Sequence, residues 1–309
     1  MTKISGLWLP LITPFNDGAV DFASYRRLVE HFIAAGVDGL FPLGTTGEAP
    51  TLDDEESDAI VAATLEAARG RVPVFVGVGG NDTRKVEKAL KRLERHRFEG
   101  IVSVCPYYNR PSQDGMVAHF RRIAEATDRD VAIYNIPYRT AVNLSNDSLL
   151  DLAEVPNIVG VKDSSGSIAQ SLDLLARKPA EFAVLTGEDA LYFTMLANGA
   201  EGGILAASHV MTARFIEVKE RFAANDVAGA RRAWAPLAGL VPLLFAEANP
   251  MPIKHILWRQ GLIASPECRL PLTRISDALA AKLEPLCHPE RSEGPLLQRE
   301  RSLGLAASG

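Results

Sequence analysis

Ile158-Val159-Gly160-Val161-Lys162-Asp163-Ser164-Ser165-Gly166 reads as a short strand, apolar on both faces, that ends in a lone primary amine and a polar turn. A run this short and this apolar fits a parallel strand covered on both sides. A lysine at the mouth of such a strand loses hydration, which lowers its pKa and leaves part of it neutral and nucleophilic toward a carbonyl carbon. Many strands simply end in a solvated lysine, so the meaning of Lys162 depends on what the other strand ends supply.

Outward from this stretch, short apolar runs alternate with longer amphipathic segments, the pattern of a parallel sheet wrapped by helices. Strands are expected at Leu7–Ile12, Gly39–Leu43, Val74–Val78, Ile101–Val104, Val131–Tyr134, Ile158–Val161, Ala183–Leu185 and Gly203–Leu205. Helices are expected near 22–35, 53–69, 83–97, 115–127, 146–153, 167–177, 188–198 and 210–223. Thr51-Leu52-Asp53-Asp54-Glu55 and Asn81-Asp82-Thr83 read as helix starts, and Gly36, Gly70 and Gly199 as stops. Eight β/α units within residues 1–225 predict an α/β fold, a (β/α)8 TIM barrel, rather than a doubly wound sheet. No GxGxxG follows the first strand, and Gly77-Val78-Gly79-Gly80 reads as tight packing at a strand end. Residues 226–287 form a C-terminal helical extension, with helices near 226–247, 251–260 and 273–285 and prolines breaking the pattern at 236, 242, 250 and 252. Residues 288–309 carry a ten-residue echo, Glu290-Arg291-Ser292-Glu293-Gly294 against Glu300-Arg301-Ser302-Leu303-Gly304, and are expected to be a disordered tail.

Composition narrows the function classes. The 309 residues are 47% hydrophobic, enough for a large core, and carry a net charge of −5 with no long basic cluster, which argues against nucleic acid as a partner. Cys105, Cys268 and Cys287 form no CxxC pair, so neither structural zinc nor a disulfide framework is expected and a reducing cytoplasm is the default. There is no basic start followed by a long apolar stretch, and no membrane span is expected.

In a TIM barrel the chemistry lies at the C-terminal ends of the strands. Those ends read Gly44-Thr45-Thr46-Gly47-Glu48, Pro106-Tyr107-Tyr108-Asn109-Arg110, Tyr134-Asn135-Ile136-Pro137-Tyr138-Arg139, Lys162, Thr186-Gly187-Glu188-Asp189 and Gly202-Gly203-Ile204. An imine mechanism needs a neutral amine, hydroxyls that move protons to and from the carbinolamine oxygen, and donors for a carboxylate. Lys162 is the candidate amine. Thr45, Tyr108 and Tyr134 are candidate proton relays, Thr46 a carboxylate holder, and Arg139 a bidentate clamp for a second carboxylate. Each also has an ordinary reading as a packed tyrosine, a turn or a solvated arginine.

Together Gly44-Thr45-Thr46-Gly47-Glu48, Tyr107-Tyr108-Asn109-Arg110-Pro111-Ser112, Tyr134-Asn135-Ile136-Pro137 and Gly160-Val161-Lys162 resemble the dihydrodipicolinate synthase / N-acetylneuraminate lyase family of class I aldolases, from about residue 5 to 285. The resemblance implies a (β/α)8 barrel with a helical extension, no metal or organic cofactor, and a homodimer or homotetramer acting on small molecules, pyruvate and an aldehyde. By the same resemblance Lys162 forms a Schiff base with pyruvate, Tyr134 transfers protons beside it, and Thr45 links Tyr134 to Tyr108 of a neighbouring subunit. Thr45 and Thr46 would hold the pyruvate carboxylate, with Gly187 and the Ile204 main chain completing the pocket. Arg139 matches the arginine with which the synthases of the family bind L-aspartate-4-semialdehyde, which implies condensation to 4-hydroxy-tetrahydrodipicolinate in lysine and diaminopimelate biosynthesis.

Two departures keep a second reading open, another pyruvate-dependent aldolase or hydratase-lyase acting on a 2-keto-3-deoxy acid or N-acetylneuraminate. Asp163-Ser164-Ser165 stands where the synthases carry Glu-Ala-Ser/Thr, and Ala141 where Gly is usual. The methyl of Ala141 would crowd the arginine loop if that position needs positive φ. Lysine-inhibited synthases use an Asn and a Tyr matched here by Asn81 and Tyr107, but Asp54, Ser57 and Lys85 replace their His and Glu, which implies weak or absent inhibition.

Overall fold

The computed structural model describes residues 4–287. Eight parallel strands are present: β1 (Gly6–Leu9), β2 (Gly39–Leu40), β3 (Phe75–Gly77), β4 (Gly100–Val104), β5 (Asp130–Asn135), β6 (Ile158–Asp163), β7 (Ala183–Thr186) and β8 (Gly202–Ile204). Their neighbour order is β2-β1-β8-β7-β6-β5-β4-β3, and a parallel bridge between Leu40 and Val74 joins the two ends into a barrel. β1 and β2 stop short of the expected Ile12 and Leu43. Pro10 and Pro42 carry no N–H for the ladder, so regular pairing is interrupted there, although the Leu11 N–H donates to the Phe41 carbonyl (3.0 Å) and the Gly77 N–H to the Pro42 carbonyl (2.9 Å).

Helices α1 (Phe22–Ala35), α2 (Asp54–Ala68), α3 (Thr83–Leu93), α4 (Gln113–Glu125), α5 (Asn146–Leu152), α6 (Ile168–Arg177), α7 (Tyr192–Ala197) and α8 (Thr212–Ala223) follow the strands in turn. The start signals act as read: Asp53 and Glu56 form a reciprocal capping box on α2, and Asp82 caps α3. One element was not foreseen, a hairpin pairing Phe15–Asn16 with Ala19–Val20. Its turn is Asp17-Gly18, both at positive φ, which is the ordinary chemistry of a two-residue hairpin loop.

Apolar side chains form two layers. Trp8, Phe41, Phe75, Val102, Ala132, Leu185 and Ile204 fill the barrel interior, while Ile101, Val131, Ile133, Ile158, Val161 and Val184 face the helices. This double burial is why the strands read as continuous apolar runs rather than alternating ones. The β5–β6 register contains an irregularity: Val131 pairs with Ile158, but Ala132 pairs with Gly160. Without that skipped residue Val161 would stand opposite Tyr134. With it, Lys162 does, and the amine and the phenol occupy adjacent strands at the same level.

The C-terminal part packs as α9 (Val227–Leu244), α10 (Met251–Arg259) and α11 (Asp277–Leu283). α9 runs through Pro236 and Pro242 instead of breaking there. Its buried face of Ala230, Ala233, Leu237, Leu240, Val241 and Leu244 offsets the roughly 3 kcal/mol that an interior proline costs a helix. α11 is shorter than the expected 273–285. The expected tail, 288–309, lies outside the described residues.

This extension is pinned to the barrel mouth by charge. Lys254, on α10 and fully buried, donates from Nζ to Glu48 Oε1 and to the Glu267 carbonyl (2.8 Å), and lies 4.3 Å from the Phe15 ring centroid. Arg269 covers the same ring at 4.4 Å, and its backbone N–H donates to Glu48 Oε2 (3.0 Å). Removing one partner strands a buried charge. Lys254→Met is predicted to destabilise the fold by about 3–5 kcal/mol, with Glu48→Gln/Lys254→Met recovering much of the loss. Urea unfolding checks this; a single variant within about 1 kcal/mol of wild type would show that the pair is not needed.

Candidate active site

Lys162 is the next-to-last residue of β6, inside the barrel mouth, and is 6% exposed. Its Nζ lies 4.3 Å from the Tyr134 ring centroid and 5.3 Å from that of Phe41, so aromatic faces replace much of its water. Burial therefore lowers its pKa, to about 8, against the opposing pull of Asp189 and Glu188; Arg139 adds to the lowering. At pH 7.5 a pKa near 8 leaves roughly a quarter of the amine neutral, against about one in a thousand for an ordinary lysine.

Tyr134 is also 6% exposed, and burial raises its pKa above the ordinary phenol value. Arg139 and the side chains of Ser164 and Thr45 pull the other way. Thr45 is half-buried in a single 3-10 turn, Thr45–Gly47, that follows β2. Thr46 beside it is buried, and its Oγ1 accepts from Asn249 Nδ2 at 2.9 Å. Glu48 closes the turn in the left-handed region (φ 53) and is held there by Lys254. The turn is thus fixed from the C-terminal helices, across more than two hundred residues of sequence.

Gly187 follows β7, and its N–H donates to the Asp163 carbonyl (2.7 Å). A Cβ at this position would sit 2.7 Å from Lys162 Cε and 2.3 Å from Ser164 Oγ, so only glycine lets the lysine lie flat across it. Ile204 ends β8 and is buried in the barrel interior. Arg139 sits in the helical turn Pro137–Thr140 after β5, its guanidinium 5.3 Å from the Tyr138 ring centroid. It lines a cleft of about 510 Å³ together with Gly187, Glu188, Asp189, Phe245 and Asn249.

One expected residue stands apart. Tyr108 is 89% exposed on the loop after β4, at φ 73, and is not brought to Lys162 within the chain. Ala141 adopts the left-handed region (φ 60), so the methyl that replaces the usual glycine is indeed carried at a position that favours Gly. The loop it starts is held by buried Asn135, which accepts from Leu144 N–H (3.1 Å) and donates to Asn143 Oδ1 (2.8 Å).

Of the Asp163-Ser164-Ser165 departures, Asp163 is turned to the helix side. Asp163 accepts from Ser171 Oγ on α6 (2.5 Å) and from Ser165 N–H (2.9 Å), a turn-forming role. Residues not singled out from the sequence as site members also gather here: Asn249, Glu188, Ser164 and Asp189. Asp189 is buried, accepts from Ala207 N–H (2.6 Å), and has its pKa pushed up by burial, to about 7. Glu188 is half-buried and likewise raised, by burial and by Asp163. Among the described residues no group of three or more His, Cys, Asp or Glu side chains is placed to hold a metal ion.

The profile of the dihydrodipicolinate synthetase family matches residues 3–288. The chain belongs to this family. Family relatives at high identity include 4-hydroxy-tetrahydrodipicolinate synthase 2 of Clostridium acetobutylicum, 48% identical over 281 residues that cover 91% of this chain and 98% of the relative. The 4-hydroxy-tetrahydrodipicolinate synthase of Laribacter hongkongensis is 42% identical, with 91% and 97% covered. Among solved family structures, that of the 4-hydroxy-tetrahydrodipicolinate synthase of Methylacidiphilum fumariolicum superposes with a TM-score of 0.91 at 36% identity, covering 97% of this chain and 99% of that one.

The low pKa of Lys162 has a stability consequence. Its folded value lies below the unfolded one near 10.5, so the native state holds the proton less well. The penalty is complete below pH 8 and fades as pH rises from 8 toward 10.5, because there the unfolded chain binds more protons. Lys162→Met is therefore predicted to stabilise the protein at pH 7 by up to about 3 kcal/mol, and by less at pH 10. Denaturant midpoints of both proteins at the two pH values measure this; a gain that grows with pH would contradict it.

Proposed function

We propose that the chain condenses pyruvate with L-aspartate-4-semialdehyde to give 4-hydroxy-tetrahydrodipicolinate, through a Schiff base on Lys162. The observation that carries this reading is the desolvated Lys162 amine set beside the Tyr134 phenol at one level of the barrel, in a chain whose family relatives bear that synthase name. The neutral amine attacks the ketone of pyruvate. Tyr134 gives its proton to the carbinolamine oxygen, water leaves, and the nitrogen lone pair forms the iminium. The phenolate then takes a methyl proton, and the resulting enamine adds to the aldehyde. Attack by the acceptor's own amine releases the cyclic product and frees Lys162.

Thr45 and Thr46 hold the pyruvate carboxylate in this reading, over Gly187 and beside the Ile204 main chain. The adjoining cleft favours the semialdehyde over a polyhydroxy acid. It sets a cation, Arg139, and an anion, Glu188, along one cavity wall system, which suits an acceptor bearing both a carboxylate and an ammonium group. Tyr108 acts from a neighbouring subunit of a homodimer or homotetramer, a reading supported by its nearly full exposure and left-handed backbone at the barrel mouth. The three cysteines are free thiols, in keeping with a cytoplasmic setting, and no helix among the described residues is long and apolar enough to cross a membrane.

Lys162→Ala should abolish borohydride trapping of pyruvate, and Arg139→Ala should raise the KM for aspartate semialdehyde at least tenfold while leaving pyruvate KM within about twofold, since one charged hydrogen-bonded contact contributes about 1.5–3 kcal/mol. Faster cleavage of N-acetylneuraminate or a 2-keto-3-deoxy acid than semialdehyde condensation would move the assignment to the aldolase reading.

Feedback by L-lysine is proposed to be weak. The Asp54 carboxylate pairs with Arg92 (3.2 Å), and Lys85 adds a positive charge to the cleft marked by Asn81 and Tyr107. Inhibition titrations should find no half-effect below millimolar lysine; a sub-millimolar value would contradict this.

A further inference from the structure

Ser164 is completely buried, and its Oγ has no hydrogen-bond partner. Such a hydroxyl costs about 1–3 kcal/mol where an alanine would cost nothing. Its backbone does not need the side chain, since the Ser164 N–H already donates to the Asn135 carbonyl (2.8 Å). The hydroxyl lies within the reacting cluster: Lys162 Cε and Ser164 Oγ crowd the same side of Gly187, Lys162 stands opposite Tyr134 across β5 and β6, and Ser164 is hydrogen-bonded through its backbone to the residue after Tyr134. From there Ser164 lowers the Tyr134 pKa against the larger effect of burial, without a formed hydrogen bond in the resting geometry. This is the position where the chain departs from the residue usual in the synthases.

We propose that Ser164 is a positioning residue for Tyr134, whose O–H donates to the phenolate oxygen formed when Tyr134 protonates the carbinolamine. The inference rests on the Schiff-base reading above. In the resting protein the phenol carries its own proton, and the Ser164 donor is left unmatched. Once the Tyr134 O–H bond breaks, the proton passes to the carbinolamine oxygen, the C–O bond breaks and water departs, leaving a negative oxygen in an apolar surround. Two hydroxyls, of Thr45 and Ser164, then face it. The Ser164 proton stays on its own oxygen throughout; the hydrogen bond exists only while the charge does, so it lowers the barrier rather than the ground state.

The cost in the resting state and the gain in the reacting state have opposite signs, and that opposition is the test. Wild-type protein reduced with borohydride in pyruvate examines the Schiff-base reading by itself, through the mass added to the Lys162 peptide. With that adduct in hand, Ser164→Ala should lower kcat about 10- to 100-fold, leave pyruvate KM within about twofold, and keep or raise Tm, because it deletes an unsatisfied buried hydroxyl. Ser164→Thr, which keeps the donor, should recover most of kcat if its methyl is accepted, and its Tm reports whether it is. A Ser164→Ala protein with kcat within twofold of wild type would overturn the proposal. So would kcat and Tm falling together, which would assign the side chain to packing.

Discussion

Everything at the barrel mouth depends on keeping one ammonium group poorly solvated. A lysine is ordinarily a strongly hydrated point charge; here Lys162 is stretched over Gly187 with aromatic rings on its flanks and its charge only partly answered by Asp189 and Glu188. Had a carboxylate formed a close pair with it, the amine would be stable, protonated and inert. The acids instead lie where burial raises their own pKa values, so they soften the desolvation without cancelling it. The balance keeps the fold stable enough while leaving a useful fraction of the amine neutral.

Two structural devices hold that arrangement. The β5–β6 irregularity decides which residue stands beside Tyr134, and the Glu48–Lys254 pair decides where the Thr45–Glu48 turn sits. The second device makes the C-terminal helices part of the site. The segment that joins α9 to α10 supplies Asn249 to Thr46 and the Phe245 wall to the acceptor cleft, so the extension is more than a cap on the barrel. A buried ion pair is a weak source of stability but a strong source of geometry, because neither partner can move without stranding the other.

Much of the fold was legible because the β/α alternation is local. Apolar runs, caps such as Asp53 and Asp82, and glycine stops announce themselves within a few residues, and the strand ends therefore pointed to Lys162, Tyr134, Thr45 and Arg139. What escaped was of two kinds. The Asp17-Gly18 hairpin carried a plain turn signal but lay between larger elements. Asn249, Lys254, Glu188 and Ser164 carried no local signal of their partners: Asn249 meets Thr46 across 203 residues, and a serine's burial without a partner cannot be read from its neighbours in sequence. Tyr108 is the converse case, legible by motif yet absent from the site within one chain.

The central claim is that Lys162 is a buried amine with a depressed pKa that captures pyruvate. Its most direct test is the pH dependence of the initial rate of borohydride trapping with pyruvate, with the modified peptide identified by mass. The rate should rise through a midpoint near pH 8, with the reduced adduct on Lys162. A midpoint near the 10.5 of an ordinary lysine, or an adduct on any other residue, would contradict the account.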